Sequence, residues 1–588
     1  AQVWPAVMVS ALTTVMVFIP ILVMDLEAGQ LFRDIAVAIS VSVLLSLLVS
    51  ITLIPALANR MLAGGVADLD KVFPLPGIDH FGRAFTAFWV WFTLLVVRRK
   101  IVAVGVITTI TAAAVLFSFA VLPKVDYLPT GNRNFVFGFI SPPSGYNLRT
   151  TEKITDLIET GTRDYWADST QPDVLEVNGV PVLKHYFSIA LQGRAFVGGT
   201  TVDERRAAEI IPLLQNPARN EPGTLAFMFQ PSLFGRSVGG GRSIDIDISG
   251  ADLKVLFDVA QDAFDRVQQV LPLSEGHRTR PRPGLDFGAP EVRVIPDRVR
   301  LADNGLTARD LGQTIDAFND GLRVAEINFG GKRIDLTLAG SAPVREQTQA
   351  IGALPVVTRD GRIVSVESLA DVIVTSGPTE IRRVERARTV TLQVSPSRTM
   401  PLQEAIDIIN ARVLDPMQAA GLPQGVRFNL SGSADKLSQT MDELSVDLVL
   451  ALVIVFLVMA VLFESFVYPL IIMLAVPVAA AGGLGGLALL NRFVVQPLDM
   501  LTMLGFVILI GIVVNNAILL VHQTLHNIRK EGMSPDDAIT EATRNRIRPI
   551  FSSTLTSVFG MLPLVMFPGA GSELYRGLGS VVVGGLAL

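Results

Sequence analysis

Apolar runs long enough to cross a lipid bilayer recur along this chain and are interrupted once by a long polar stretch, which restricts the fold more than any other feature. Val7 to Met24, Ile35 to Leu57 and Ile101 to Leu122 precede the interruption. Leu448 to Phe463, Leu470 to Leu490, Leu501 to Leu520 and Ile550 to Phe567 follow it, and a last run starts at Gly577. A helix of about 20 apolar residues spans ~30 Å of hydrocarbon. Half of the 588 residues are hydrophobic and the mean hydropathy is +0.48, so lipid must solvate several segments. The expected fold is a polytopic α-helical membrane protein carrying a large α+β insert. A net charge of -5 leaves no basic footprint and argues against nucleic acid as a partner. The absence of cysteine excludes disulfides and thiolate metal sites. The chain starts Ala-Gln-Val-Trp-Pro and stops at Leu588 inside an apolar run, and it reads as part of something longer.

Charge between the runs orients them. Residues 1–58 form a helical hairpin, and the connector 59–100 carries Arg60, Lys71, Arg83, Arg98, Arg99 and Lys100, which places it in the cytoplasm. Within it Phe81, Phe85, Phe88 and Phe92 repeat at helical spacing, with Trp89 and Trp91 beside them. Such a stripe suits a helix lying in the membrane interface, or one packed against neighbouring helices. The span 101–122 then carries the chain to the opposite side. The connector His522 to Pro549, with Arg529, Lys530, Arg544, Arg546 and Arg548, is cytoplasmic by the same rule, and counting crossings gives the same answer. Between Ala479 and Gly486 small residues predominate, as they do where membrane helices approach closely.

The insert is water-soluble in pattern. Strands are expected at Phe135 to Ile140, Val174 to Val177, Tyr186 to Leu191, Thr224 to Phe229 and Glu291 to Ile295, and helices over Leu148 to Asp164 and Val202 to Leu214. Ile244, Ile246 and Ile248 alternate as in a strand, and Leu253 to Val267 keeps helical spacing. A similar set recurs over Thr389 to Leu430. These units make small split βαβ sandwiches over 123–297, completed by 378–445. A separate block, 298–377, opens with a capping box from Thr307 to Asp310 and reads as inserted into the later sandwich. The membrane part resumes over 446–588.

Part of this membrane sequence repeats. Adding 543 to Leu12, Thr13, Val15, Pro20, Leu31 and Arg33 gives Leu555, Thr556, Val558, Pro563, Leu574 and Arg576, the mark of two homologous transporter halves. Asn515 and Asn516 lie mid-span, where an unpaired amide costs a few kcal/mol. They are either a polar node in an ion or proton path, or structural glue between helices. Ser552, Ser553, Thr554, Thr556 and Ser557 cluster on the next span, where hydroxyls can bond the preceding helical turn. No apolar run holds a central Asp, Glu, Lys or His. No catalytic constellation and no metal-ligand spacing emerge, so an enzyme is not expected; Gly239 to Gly241 read as a loop, and His522 and His526 as part of a solvated basic face. Phe187, Phe196, Phe227, Phe229 and Phe234 either line a ligand cleft or fill a sandwich core.

The stretches LFESFVYPLIIMLAVP (462–477), DMLTMLGFVILIGIVVNNAILLV (499–521), RNRIRPIFSSTLTSVFGMLPLV (544–565), SALTTVMVFIPI (10–21) and LPKVDYLPTGNRNFVFGFISPPSGYNL (122–148) resemble the resistance-nodulation-division (RND) superfamily, nearest its hydrophobe/amphiphile efflux branch. The resemblance covers the whole chain and implies that it runs from the fifth membrane span to the start of the twelfth. The sandwiches would be periplasmic porter subdomains and 298–377 most of a docking subdomain. It further implies a homotrimer in the bacterial inner membrane that extrudes amphiphilic or hydrophobic small molecules, with a periplasmic adaptor and an outer-membrane channel. Protons would be the coupling ion, with no other cofactor. The relay environment implied here is Asn515, Asn516, Ser553, Thr554 and Arg546, with Asn515 standing where the family has a lysine and the titrating carboxylates on a span outside this chain. Other readings within or near the superfamily are a lipid or heavy-metal exporter and a non-pumping, sterol-sensing-like receptor or scaffold. Metal export is disfavoured because Met228 and Met400 show no pairing.

Overall fold

Two proline positions shape the first apolar helices. In the computed structural model, which describes residues 4–24, 27–62, 78–129, 131–143, 145–167, 174–233, 242–285, 288–340, 348–378, 380–569 and 571–588, the first run is broken into α1 (Trp4–Met16) and α2 (Ile19–Val23). Pro20 has no N–H to continue the ladder and instead sits in the first turn of α2. The helix α3 (Glu27–Leu62) continues through Pro55. α4 (Ile78–Val97) and α5 (Lys100–Val121) follow. On α4 one side of the aromatic stripe packs, with the Phe85 ring 4.7 Å from Phe551, while Trp91 on the other side is 58% exposed. Lys71, Phe234, Gly239 to Gly241 and the Phe81 side chain lie outside the described residues.

The first α/β unit contains β1 (Val136–Ser141), α6 (Leu148–Thr162), β2 (Leu183–Leu191), β3 (Arg194–Thr201), α7 (Ile211–Arg219) and β4 (Leu225–Phe229). Its antiparallel sheet runs β2-β3-β1-β4. Strand alternation sends Val136, Ile140, Val197 and Met228 to the face covered by α6 and α7, where they are buried with Ile154, Ile158 and Leu214. The helix expected over Val202 to Leu214 is a 3₁₀ segment, Glu204–Ile210, followed by α7, because Pro212 restarts the helix in its first turn.

The second unit has β5 (Ile244–Gly250), α8 (Leu253–Val270) and β6 (Arg278–Arg282). Asp252 caps α8 by accepting from Lys254 and Val255 N–H groups. The chain then leaves through β7 (Ala289–Pro296), α9 (Ala308–Asn319), β8 (Leu322–Phe329), β9 (Lys332–Leu338) and β10 (Ala370–Gly377). It returns with β11 (Ala387–Ser395), α10 (Leu402–Ile409) and β12 (Arg427–Gly432). Antiparallel pairing places β5 between β12 and β11, and β11 between β5 and β6. The Thr307/Asp310 capping box is formed at the start of α9. β7 pairs along its whole length with β10, which ties the strand just before the 298–377 block to the strand that closes it.

No break separates the second unit from the next apolar helix. α11 (Ser433–Phe463) starts directly after β12, so the return segment ending at 445 and the span expected from 446 share one helix. After it come α12 (Val467–Met473), α13 (Ala475–Leu490), α14 (Met500–Arg529), α15 (Pro535–Met566) and α16 (Arg576–Ala587). Among the described residues six helices are long and apolar enough to cross a membrane; the α1–α2 pair and α16 are shorter. The small residues of α13 bring it against α16. A Cβ on Gly482 would lie 2.6 Å from the Gly584 carbonyl oxygen, and one on Gly486 would lie 2.6 Å from that of Ser580. Only glycine allows this backbone approach.

Candidate functional site

Polar groups are few in α14, so the partner of each is informative. Asn515 Oδ1 accepts a hydrogen bond from Ser10 Oγ on α1, and the Ser10 carbonyl accepts from Thr13 and Thr14 hydroxyls, each at 2.9 Å. The pair opens on a groove of about 580 Å³ between α1, α3 and α14, lined by Thr14, Ser42, Ser46 and Ser50. Arg546 donates from Nη2 to Gln523 Oε1 at 2.8 Å and so ties α15 to α14, eight residues or about 12 Å along the helix from Asn515. Asn516 and Thr554 are half-buried and Ser553 is exposed, and none of the three makes a hydrogen bond among the described residues. The structure therefore unites Asn515 with Ser10, and leaves Ser553 and Thr554 outside that pair. At the offset of 543 Ser10 falls on Ser553, so the repeat pointed to a hydroxyl on α1 that the reading of single spans passed over. The serines of α3, spaced four apart, were a second legible signal.

α14 begins at a junction with the α/β units. Val125, beyond α5, forms a parallel bridge with Leu498, and Asp126 N–H donates to the Leu498 carbonyl at 3.1 Å. Met500 N–H donates to the Tyr127 carbonyl at 3.2 Å, and Gln403 N–H to that of Val125 at 3.1 Å. Behind this seam Asp126 and Arg242 form an ion pair at 2.7 Å, with side chains only 4% and 7% exposed. Arg242 also donates to the carbonyls of Ser397 at 3.3 Å and Met400 at 2.6 Å, which satisfies a buried guanidinium. Asp499, immediately before α14, caps it by accepting from Thr502 N–H and Oγ1, both at 2.8 Å, and from Gln496 Nε2 at 3.1 Å.

Arg242 faces a cleft of about 320 Å³ between the two α/β units. Phe227 and Phe229 of β4, Arg278 and Arg280 of β6 and Arg398 line it. The cleft edge continues into an aromatic surface. Phe135, Phe137, Phe139, Phe187, Phe196 and Phe229 project from the sheet face opposite α6 and α7, with ring centroids 5.1–6.2 Å apart. Phe187 and Phe196 therefore sit on this second face, half-buried and outside the helix-covered core, while Phe227 and Phe229 line the cleft. Met228 is fully buried in the core and turned away from the cleft.

Comparison with known proteins gives the lineage of this arrangement. The sequence profile described as the AcrB/AcrD/AcrF family matches residues 1–588. The chain belongs to that family. It is thus an RND permease sequence, from a family of multi-pass membrane transporters with porter domains. Multidrug resistance protein MdtC of Salmonella newport (strain SL254) is 28% identical over 587 residues, covering 98% of this chain and 54% of the relative. The MdtC proteins of Enterobacter sp. (strain 638) and Escherichia coli O139:H28 are 27% and 26% identical over 604 and 586 residues, with the same coverage. The chain spans about half the length of these curated relatives.

In this AcrB/AcrD/AcrF-family chain the junction carries a pH dependence. Burial pushes the Asp499 carboxyl up to about 7, against bonds from Thr502 that lower it and the nearby Asp126 that raises it further. Because the folded value exceeds the ordinary one, the folded state holds the extra proton between the two. The stabilisation is complete below the unfolded value near 4 and is lost as pH rises to about 7. Thermal melts of the full chain should therefore fall in midpoint from pH 5 to pH 7 and level off above it. Asp499→Asn, which keeps the acceptor for Thr502, should flatten that slope; an unchanged slope in the variant would assign it to another group.

Proposed function

We propose that this chain is the cargo-handling and helix-relay portion of an inner-membrane efflux permease, which extrudes amphiphilic or hydrophobic small molecules at the expense of proton entry. The observation that carries this reading is the cleft with its aromatic wall, set between two α/β units and joined through Arg242 and Asp126 to the start of the helix bearing Asn515. Cargo would enter from the periplasm, where the α/β units reside in this reading, and bind against Phe227 and Phe229. Rearrangement of the Ser10–Asn515 contact would accompany protonation of carboxylates supplied by a partner span. Asn515 cannot itself exchange a proton, so its role is to position the neighbouring helix. The working assembly is a trimer that engages a periplasmic adaptor and an outer-membrane channel. The MdtC relatives are named for multidrug resistance, which agrees with broad small-molecule cargo.

The test is transport of a neutral naphthylamine probe in proteoliposomes holding the permease that contains this chain, under an imposed pH gradient. Gradient-dependent extrusion is expected, and its absence at normal incorporation would overturn proton-driven efflux. Asn515→Ala should slow extrusion about fivefold, the equivalent of the ~1 kcal/mol that an interhelical hydrogen bond contributes in a bilayer. Unchanged transport by this variant would leave Asn515 a structural contact only.

A further inference from the structure

We infer that the cleft selects amphiphiles with an anionic head, a sulfonate, carboxylate or phosphate carried on an apolar body. This inference rests on the cleft being the cargo site and adds the charge class of the cargo. Strand β6 places Arg278 and Arg280 two residues apart on one face, while Thr279 between them is buried on the other. Both arginines line the cleft, and Arg398 stands at its rim. None of these three guanidiniums forms an ion pair with a carboxylate among the described residues. Arg398 donates to the neutral Gln230 side chain, and Arg280 lies over the Phe139 ring at 4.5 Å. Arg242 also lines the cleft, but Asp126 neutralises it. No Asp or Glu is among the lining residues.

The result is a half-enclosed cavity with excess positive charge. Burial pushes Arg280 down to about 10, reinforced by Arg282 and Arg194 and opposed by the exposed Glu380, so it remains cationic at neutral pH. A partly desolvated guanidinium without a counter-ion is destabilising until an anion arrives. Guanidiniums suit the oxygens of a sulfonate, carboxylate or phosphate, which they can bind in bidentate fashion. Phe227 and Phe229 on the facing strand then provide the wall for an apolar body. A cationic amphiphile of the same shape would meet like charge at short range in a site of low polarity.

A matched pair of probes separates head from body: anilinonaphthalene sulfonate and the uncharged phenylnaphthylamine, titrated against the full chain in zwitterionic nanodiscs with empty discs subtracted. The sulfonate should bind at least tenfold more tightly than the neutral probe. Arg278→Gln combined with Arg280→Gln should bring the ratio of the two affinities to within twofold of unity. Arg398→Gln, at the exposed rim, should reduce the difference without endangering the fold, and Arg280→Lys should keep most of it. Equal affinities in the unmodified chain, or a sulfonate preference that survives the double substitution, would overturn the anionic class. Phe227→Ala with Phe229→Ala reports on the underlying reading separately. Weaker binding of both probes supports the cleft as the cargo site, and unchanged binding of both overturns it. Competition by anionic phospholipid added to the discs assigns the head group to a lipid, and lack of competition assigns it to a soluble amphiphile; either result supports the anionic class.

Discussion

Replacing Asp126 by asparagine should destabilise the chain by ~3–5 kcal/mol, the range found when one partner of a buried ion pair is removed. The reason lies in Arg242. It stays 7% exposed behind the Val125–Leu498 bridge, and its remaining partners, the carbonyls of Ser397 and Met400, carry no formal charge. At that burial water replaces a lost carboxylate poorly. Denaturant or thermal unfolding of the full chain in detergent measures the effect. Asp126→Asn together with Arg242→Gln should be less damaging than Asp126→Asn alone, because the orphaned charge is gone. A loss below ~1 kcal/mol for the single variant would mean that the pair behaves as an exposed one.

Gly584→Leu should prevent α13 and α16 from packing. A Cβ at that position would lie 2.4 Å from the Gly482 carbonyl oxygen and 2.8 Å from the Gly486 Cα, and backbone atoms cannot turn aside as a flexible side chain would. Ordinary overpacking costs ~1–3 kcal/mol, and a clash against backbone belongs at or above the upper end. Gly105→Leu on α5 is the control, since nothing lies within 4 Å of a Cβ there. The expected result is loss of the monodisperse folded species for Gly584→Leu and retention for Gly105→Leu. Similar behaviour of the two variants would show that the α13–α16 approach does not hold the bundle together.

Hydropathy and alternation located the apolar helices and most strands because each is a local property of the chain. What the sequence left open was whatever a distant segment decides. Glu291 to Ile295 is a strand as expected, and nothing local names its partner, Ala370–Gly377. The period of two in Phe135, Phe137 and Phe139 shows which residues share a face; it does not show that α6 and α7 cover the opposite one. Asn515 stood out as a mid-span amide, yet its partner Ser10 is 505 positions away and visible only through the repeat. The cleft was legible in part. Phe227 and Phe229 were named from composition, whereas Arg278, Arg280 and Arg398 became a site only once β6 and the segment after β11 were brought against β4.

The helix α14 connects all of this as a stiff rod. Its 30 residues extend about 45 Å, with Asn515 about 24 Å from the Asp499 end. An intact helix shortens only by breaking its own hydrogen bonds, so an axial displacement of α14 at Asn515 would be a displacement of the Asp499 cap as well. Beside it, α13 and α16 meet backbone to backbone at Gly482, Gly486 and Gly584, with Leu487 and Val581 packed into the same contact. The Asp126–Arg242 pair beside the Asp499 cap would pass such a displacement of α14 on to β5, which starts two residues after Arg242.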